Sequence, residues 1–400
     1  KGRLYVVAGS GPKELSSAAV ITARGTLLTS TGAVGMAENL NQLIITDGAN
    51  GYVSPFSTNV FAQITGAGWL GSVRVTVLDG YAVFVKPDSQ VFYISSVDDA
   101  TALDVLDFAS AEGSPDNIVA QIADHGQLFL FGASSTEIWD NTGGTDYPLT
   151  RNNGARIETG CAAAFSVRKL DNTVYWLGQD ERGGGIVWKL NGYTPVRVST
   201  QAIEEVLQGV ADLSAAVAYV YQQDGHSFYC LNVPGLPTTW CYDVASENWH
   251  ERAELVGGEY SQHRGQFHAF AFGKHLIGGA DGKIYEYDPE AHTNAGDVLV
   301  RDRISPHMAT PMYEQQHFRS LQVDCVVGVG KPDGSDPSLM MRYSDDGGLK
   351  WGNWRVTTMG AIGARKARSI YRRLGSARDR VWQIRVTDDT PFAIVGANVE

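Results

Sequence analysis

Between Asn117 and Thr150 the chain alternates short apolar runs with turn-forming breaks. Four runs, at 118–123, 128–131, 137–139 and 147–149, are separated by Asp124-His125-Gly126, Gly132-Ala133-Ser134 and Asn141-Thr142-Gly143-Gly144. Gly, Asn, Asp and Ser accept tight turns or positive φ, so runs of this length, rich in Ile, Val, Phe and Trp, read as strands joined by hairpins. One four-stranded meander cannot bury both its faces alone and needs similar units beside it.

The third strand of that unit is the easiest to follow. It recurs from Gly2, Gly51, Gln90, Ser135, Gly185, Thr239 and Gly282, in steps of 49, 39, 45, 50, 54 and 43 residues. That spacing lies near the roughly 40–50-residue period of propeller blades. Second strands are expected at 43–46, 81–85, 128–131, 174–177, 227–231 and 275–277. Apolar first strands precede them at 73–78, 118–123, 162–167, 215–221 and 267–272, a composition suited to two-faced burial near a propeller axis. Outer fourth strands fit at 60–64, 195–198 and 249–252. The first unit begins at its third strand, so its inner strands are expected to be missing or to come from upstream sequence. Helical periodicity is confined to 201–208, with Thr200 as N-cap and Ile203, Val206 and Leu207 on one face.

Near residue 295 the rhythm changes. Residues 292–297 have linker composition, and alternating runs follow at 318–329, 339–343, 355–359, 369–374, 381–386 and 392–399 without a tandem period. The expected architecture is all-β. Residues 1–295 form a β-propeller, seven-bladed or alternatively six-bladed, whose first blade is incomplete at the N-terminus. Residues 296–400 form a C-terminal antiparallel β-sandwich-like domain.

Composition adds limits. The chain has 400 residues and 45 glycines, and no apolar run reaches the roughly 20 residues that cross a bilayer. Net charge is −12, unevenly spread: residues 1–295 carry 17 Lys+Arg against 32 Asp+Glu, and residues 296–400 carry 15 against 12. The acidic part is a poor holder of polyanions, since phosphate contacts need clustered Lys and Arg. Cys161, Cys230, Cys241 and Cys325 show no metal-ligand spacing and read as buried free thiols, which suits assembly in a reducing cytosol.

Several motifs carry chemistry only in other settings. Ser344-Asp345-Asp346-Gly347-Gly348-Leu349-Lys350-Trp351 matches the Asp-box pattern, in which Asp346 bonds turn backbone, Gly348 takes positive φ and Trp351 pins the hairpin to a core. It is read as a turn, because glycoside hydrolysis needs a placed carboxylate pair, or a Tyr nucleophile with its supporting groups, and no spacing singles one out. His250, His263, His268 and His275, like His307 and His317, are too scattered for a metal site. Gly183-Gly184-Gly185, after Glu181-Arg182, and Gly9-Ser10-Gly11-Pro12 precede strands rather than helices and are hairpin loops, not phosphate cradles. The residues therefore assign no catalytic, cofactor-binding or metal site. One dense basic cluster runs from Arg365-Lys366-Ala367-Arg368 through Arg372-Arg373 to Arg378 and Arg380. It reads as a docking face for an acidic protein neighbour, as a collar near nucleic-acid phosphates, or as an edge strand with protective charges.

The stretches 91–143, 221–234, 240–252 and 368–400 resemble the packaged-DNA stabilisation proteins of short-tailed bacteriophages, the tail hub or nozzle family. The likeness runs along nearly the whole chain and carries no catalytic signature. It implies a structural virion protein, not an enzyme and without a cofactor. Such a protein assembles as a homo-oligomeric ring, typically a hexamer, beneath the portal and its adaptor. The ring extends the DNA channel, helps retain the packaged genome and offers surfaces for a tail needle, fibres or spikes. Genomic DNA would pass through without sequence-specific binding, with no membrane in the mature particle, which is assembled in the host cytoplasm. A carbohydrate-binding or sialidase-like propeller is the alternative, and a scaffold binding peptides on a propeller face is a third.

Overall fold

The structure, a computed structural model, describes residues 2–180 and 183–400. It divides into two compact units: residues up to Ala253 with Gln262–Glu286, and Glu254–Ser261 with Tyr287–Glu400. No helix among the described residues is long and apolar enough to cross a membrane.

The first unit is a β-propeller of seven antiparallel sheets among the described residues, one for each repeat of the sequence marker. The fourth sheet shows the pattern, with Ile118–Asp124, Gln127–Gly132, Thr136–Asn141 and Leu149–Ile157 side by side in chain order. The second sheet (Gly35–Glu38, Gln42–Thr46, Gly51–Pro55, Ala62–Gln63) and the third (Val75–Leu78, Tyr81–Val85, Val91–Ile94, Phe108–Ser110) repeat it. In the sixth sheet the order is Val217–Gln223, His226–Asn232, Thr239–Asp243 and Asn248–Val256. The first sheet, Leu4–Ala8 with Gly11–Leu15 and Ile21–Ala23, has the marker strand at its edge. The seventh has Gly265–Ala271, Lys274–Gly279 and Ile284–Glu286.

Two-residue turns set the register of the inner hairpins. Asp79-Gly80, His125-Gly126, Asp171-Asn172, Asp224-Gly225 and Phe272-Gly273 all hold positive φ at both positions. That is the turn whose twist matches a hairpin, and only Gly, Asn, Asp or His enter it at low cost, which makes Phe272 the odd member.

Strand periodicity then decides the packing. In the second strand of the fourth sheet, Leu128 and Leu130 face the third sheet with Val83, Val85 and Phe92, while Phe129 and Phe131 face the fifth with Val174 and Trp176. In Thr173–Asp180 of the fifth sheet, Tyr175 and Leu177 turn the other way, onto Tyr229, Leu231 and Tyr242 of the sixth. Each of these side chains is buried, and full burial stabilises by roughly 1.5–3 kcal/mol apiece.

The contact between sixth and seventh sheets differs. Tyr221 and Phe228 stack at 4.8 Å, and Tyr221 lies 5.5 Å from His268 and 5.9 Å from His275. Arg252 sits over both aromatic rings, at 5.4 and 5.0 Å. His268 Nε2 and His275 Nδ1 are 3.0 Å apart.

Several expected elements moved. The predicted first strand at 162–167 is broken by a 3-10 turn, Ala164–Ser166, with Gly160–Cys161 and Arg168–Leu170 pairing on either side of it with the fifth sheet's second strand. Ser166 Oγ donates to Ala163 O at 2.8 Å, and the Arg74 guanidinium collects the carbonyls of Ala164 and Val167, which a regular strand would have turned sideways. The fourth run of the opening meander begins pairing only at Leu149, while Tyr147 packs against Phe92. The helix spans Gln201–Gln208 as expected, but Thr200 makes no side-chain cap and Val206 is exposed. Glu204 is buried in its stead, receiving hydrogen bonds from Arg197 and from Ser199 Oγ, the latter at 2.6 Å. Glu181 and Arg182 of the predicted hairpin loop lie outside the described residues.

The second unit is a β-sandwich. Arg301–Ile304, Asp379–Val386, Ser338–Ser344 and Arg355–Thr358 make one sheet, and Ser369–Arg372, Ser320–Cys325 and Ile394–Val399 another. Leu321, Val323 and Tyr371 from the second meet Leu339, Met341, Trp382 and Ile384 from the first. Cys325 is half-buried there, whereas Cys161, Cys230 and Cys241 are buried.

Two outcomes follow for stability. Trp176, fully buried, lies 5.3 Å from Phe131 and donates to Gly160 O at 3.0 Å. Trp176→Ala will destabilise the propeller by about 3–5 kcal/mol, read as a shift of its urea transition. Burial, then the neighbouring His275, lowers His268 from 6.5 to about 4. The fold therefore favours the uncharged ring, and its contribution is complete above pH 6.5 and lost as pH falls toward 4. The urea midpoint will fall across that window in the parent and fall less in His268→Phe.

Candidate docking surface

The basic cluster lies on the sandwich around the strand Ser369–Arg372, an edge strand that among the described residues pairs only with Ser320–Cys325. Arg365, Lys366, Arg368, Arg372, Arg373 and Arg378 are exposed. Arg373 takes φ 58°, which turns the chain out of the strand, and its amide donates to Arg319 O at 2.9 Å. Arg355 Nη1 donates to Arg372 O at 3.2 Å and Arg373 O at 3.3 Å, so a third guanidinium joins the pair. Arg319 is exposed beside them, at the outer limit of contact with Glu400, 4.0 Å away. Like charges held this close on a surface raise the local positive potential and favour an anionic neighbour.

Arg380 does not belong to that face. Its side chain is 1% exposed, with Nε and Nη2 donating to the two oxygens of Asp345 at 2.6 and 2.7 Å, and Nη1 donating to Leu374 O at 2.7 Å. Tyr343 lies 3.9 Å beneath the guanidinium, with Phe318 at 4.6 Å and Trp382 at 5.2 Å. A bidentate carboxylate and three rings satisfy the cation inside the core. Sequence gave Arg380 the same appearance as its neighbours because it is the strand's alternation, not the local charge density, that turns it inward.

Asp345 comes from the Asp-box, which is a turn. Asp346 Oδ1 accepts from Ser344 Oγ at 2.7 Å and Lys350 N at 2.8 Å, and Gly347 and Gly348 both hold positive φ. The Lys350 amide, then the Ser344 hydroxyl, hold the Asp346 carboxyl below its ordinary range. Trp351 is not driven into a core: it lies half-buried under Arg342, at 4.9 Å. Arg342 also covers Trp354, which Arg385 approaches from 4.7 Å. Arg385 in turn donates to both oxygens of Asp302, at 2.8 and 2.7 Å, and to Tyr260 Oη at 2.7 Å. This arginine–aromatic ladder was missed; its signal was the alternation of Arg342, Arg355 and Arg385 with Tyr343, Trp351 and Trp354.

Among the described residues His268 and His275 meet, and no third His, Cys, Asp or Glu joins them as a metal site. His250 Nε2 accepts from Arg252 at 3.2 Å, His263 Nδ1 accepts from Gly265 N at 3.1 Å, and His307 meets Asp379 at 2.7 Å. Among the described residues no group of three or more His, Cys, Asp or Glu could hold a metal ion. A cleft of 710 Å³ runs along the helix, and its buried carboxylate, Glu204, is engaged by Arg197 and Ser199.

Comparison with known proteins adds the family. Residues 1–292 match the family model described as bacteriophage P22 Gp10, β-propeller, and residues 307–400 match the one described as bacteriophage P22 Gp10, β-sandwich. No curated protein matches the chain. Among solved structures, a chain of the mitotic checkpoint complex is 10% identical over 71% of this chain and 86% of its own, with a TM-score of 0.45. A Bacteroides fragilis protein provisionally assigned as a 6-phosphogluconolactonase is 11% identical over 72% and 92%, with a TM-score of 0.49. The extracellular domain of BT4673 from B. thetaiotaomicron is 8% identical, with a TM-score of 0.48, and the match takes in 88% of this chain but 44% of that one.

The two kinds of arginine separate by substitution. Arg380→Ala empties the space among Phe318, Tyr343 and Trp382 and leaves Leu374 O without its donor, and will destabilise the sandwich by about 2–5 kcal/mol. Arg372→Ala and Arg373→Ala each will change its unfolding midpoint by no more than about 0.5 kcal/mol.

Proposed function

The chain belongs to the bacteriophage P22 Gp10 family and is a phage structural protein, and from that premise we propose that it is a tail hub. In this reading several copies, six in the complete ring, extend the portal channel below its adaptor, help retain the packaged genome and anchor a needle, fibres or spikes. The observation that carries the reading is that both bodies of the chain match the two parts of one family, 1–292 and 307–400.

Electrostatics supports a division of labour at about residue 295. A propeller with 32 acidic against 17 basic residues repels phosphate, so DNA passing beside it slides rather than sticks. The sandwich supplies attachment, through Arg365, Lys366, Arg368, Arg372, Arg373 and Arg378. The occupant best suited to that face is an acidic surface of a neighbouring tail protein or of the next copy. The protein works mechanically, without turnover, in the virion tail, after assembly in the host cytoplasm.

Imaging of purified particles tests the hub directly: this chain is expected as a ring on the tail axis, and density elsewhere in the particle, or a monomer absent from it, would overturn the reading. Replacing Arg365, Lys366, Arg368, Arg372 and Arg373 together by Ala will lower incorporation into particles by about tenfold or more, with parental attachment weakening as salt rises. Undiminished incorporation of the five-fold variant would remove the docking face while leaving the ring intact.

A further inference from the structure

We propose that Cys230 and Cys241 are an oxidisable cross-strand dithiol, which closes to a disulfide in the presence of a small-molecule disulfide and fastens the sixth sheet where it meets the seventh. The two residues face each other directly in the antiparallel pair His226–Asn232 and Thr239–Asp243. Their sulfurs are 2.9 Å apart, and both side chains are fully buried. Directly opposed residues on antiparallel strands have Cα atoms about 4.5–5.5 Å apart, inside the range of about 4.4–6.8 Å that a disulfide spans. The closed bond therefore fits the strand register as it stands, while the reagent reaches the fully buried thiols when the hairpin opens locally.

Position gives the bond its effect. Tyr219, Cys230, Cys241 and His250 form one row across four strands of the sixth sheet, each opposite the next. Alternation puts that row on the same face as Phe228 and Tyr221, which meet His268 and His275 of the seventh sheet. Just beyond the pair, Thr239 Oγ1 donates to Asn232, Asn232 Nδ2 donates to Gly265 O at 2.9 Å, and His263 N donates to Thr239 Oγ1 at 3.2 Å. The hairpin that would carry the bond thus holds the connection by which the chain enters its seventh sheet. Aliphatic packing is sparse there, since Ile277 is the one hydrophobic side chain of that sheet buried in the core.

The thiols are unequal. Burial pushes both up, but at Cys241 the hydrogen bond with Cys230 and the positive charge of Arg252 outweigh it and hold the thiol below its ordinary value. Cys230 is pushed well up by burial and by Cys241 itself. Cys241 is accordingly the attacking sulfur. Its thiolate displaces one thiolate from the reagent disulfide, forming a mixed disulfide. Cys230 then gives up its proton and attacks the Cys241 sulfur, expelling the second thiolate. Two protein thiols and one disulfide become one protein disulfide and two small thiols, and the two electrons lost by the protein are gained by the reagent. Cys161 has a different neighbourhood, donating to Ala163 O at 3.1 Å with burial raising it to about 11.

The test is to incubate the folded, full chain with a dipyridyl disulfide, then denature, alkylate and map the peptides. The expected product is a peptide pair joined through Cys230 and Cys241, two hydrogens lighter than the free peptides and separated again by dithiothreitol. Amides of 227–243 and 262–265 are expected to exchange about tenfold more slowly in the oxidised chain. Alkylation of both cysteines in a sample whose half-buried Cys325 has reacted with the reagent would overturn the proposal. A cross-link without slower exchange would overturn the fastening role, and in Cys241→Ser a bridge from Cys230 to any other cysteine would show that the pairing is not set by register.

Discussion

Burial of the same strand on both faces ties each of the second to fifth propeller sheets to its two neighbours. Val83 and Phe84 are consecutive residues, both fully buried, yet one packs toward the fourth sheet and the other toward the second. The same split occurs at Leu128 and Phe129 and again at Tyr175 and Trp176. No such sheet can satisfy both faces alone, so the folding free energy resides in interfaces between neighbours rather than in individual blades. A one-residue slip in any of these strands would exchange its two faces, sending Trp176 where Tyr175 belongs, and the paired positive-φ turns hold the register against it.

That constraint also explains what was legible beforehand. Two-faced strands are continuous apolar runs closed by Gly, Asn or Asp, and such runs stand out against a turn-rich background, as at 81–85 and 128–131. The helix at 201–208 was visible for a similar reason, since Ile203 and Leu207 lie one turn apart. What escaped depended on partners distant in sequence. The break at 164–166 follows from Arg74, ninety residues earlier, which draws carbonyls toward its guanidinium. Glu204 is polar in the sequence but buried in the fold because Arg197 and Ser199 meet it there. Arg380 looked like one more surface charge because nothing near it in the sequence announces Asp345 as its counter-ion.

Charge counts therefore need correcting for burial before they describe a surface. In the sandwich, Arg380 and Arg385 are engaged by Asp345 and Asp302, and Arg301 donates to the backbone oxygens of Asp388 and Thr390. These cations act as cores and clamps. Apart from Arg303 and Lys350, the exposed cations that remain gather around one edge strand, which concentrates what a net balance of +3 disperses over the whole domain. The concentration has a second effect: an edge strand rimmed by arginines is a poor template for unspecific strand pairing, so the charges that attract an anionic partner also suppress aggregation.

The sixth and seventh sheets show what happens where the aliphatic rule lapses. Their contact is made of Tyr221, Phe228, Arg252, His268 and His275, groups whose mutual attraction depends on protonation and on ring geometry rather than on apolar area alone. Two imidazoles 3.0 Å apart can share one proton but cannot both carry a charge at low cost. An interface of this kind is directional and condition-dependent, whereas the packing among the earlier sheets is neither. The thiol pair and the histidine pair share this face and act on the same junction in opposite directions: one can add a covalent tie, the other removes cohesion on acidification.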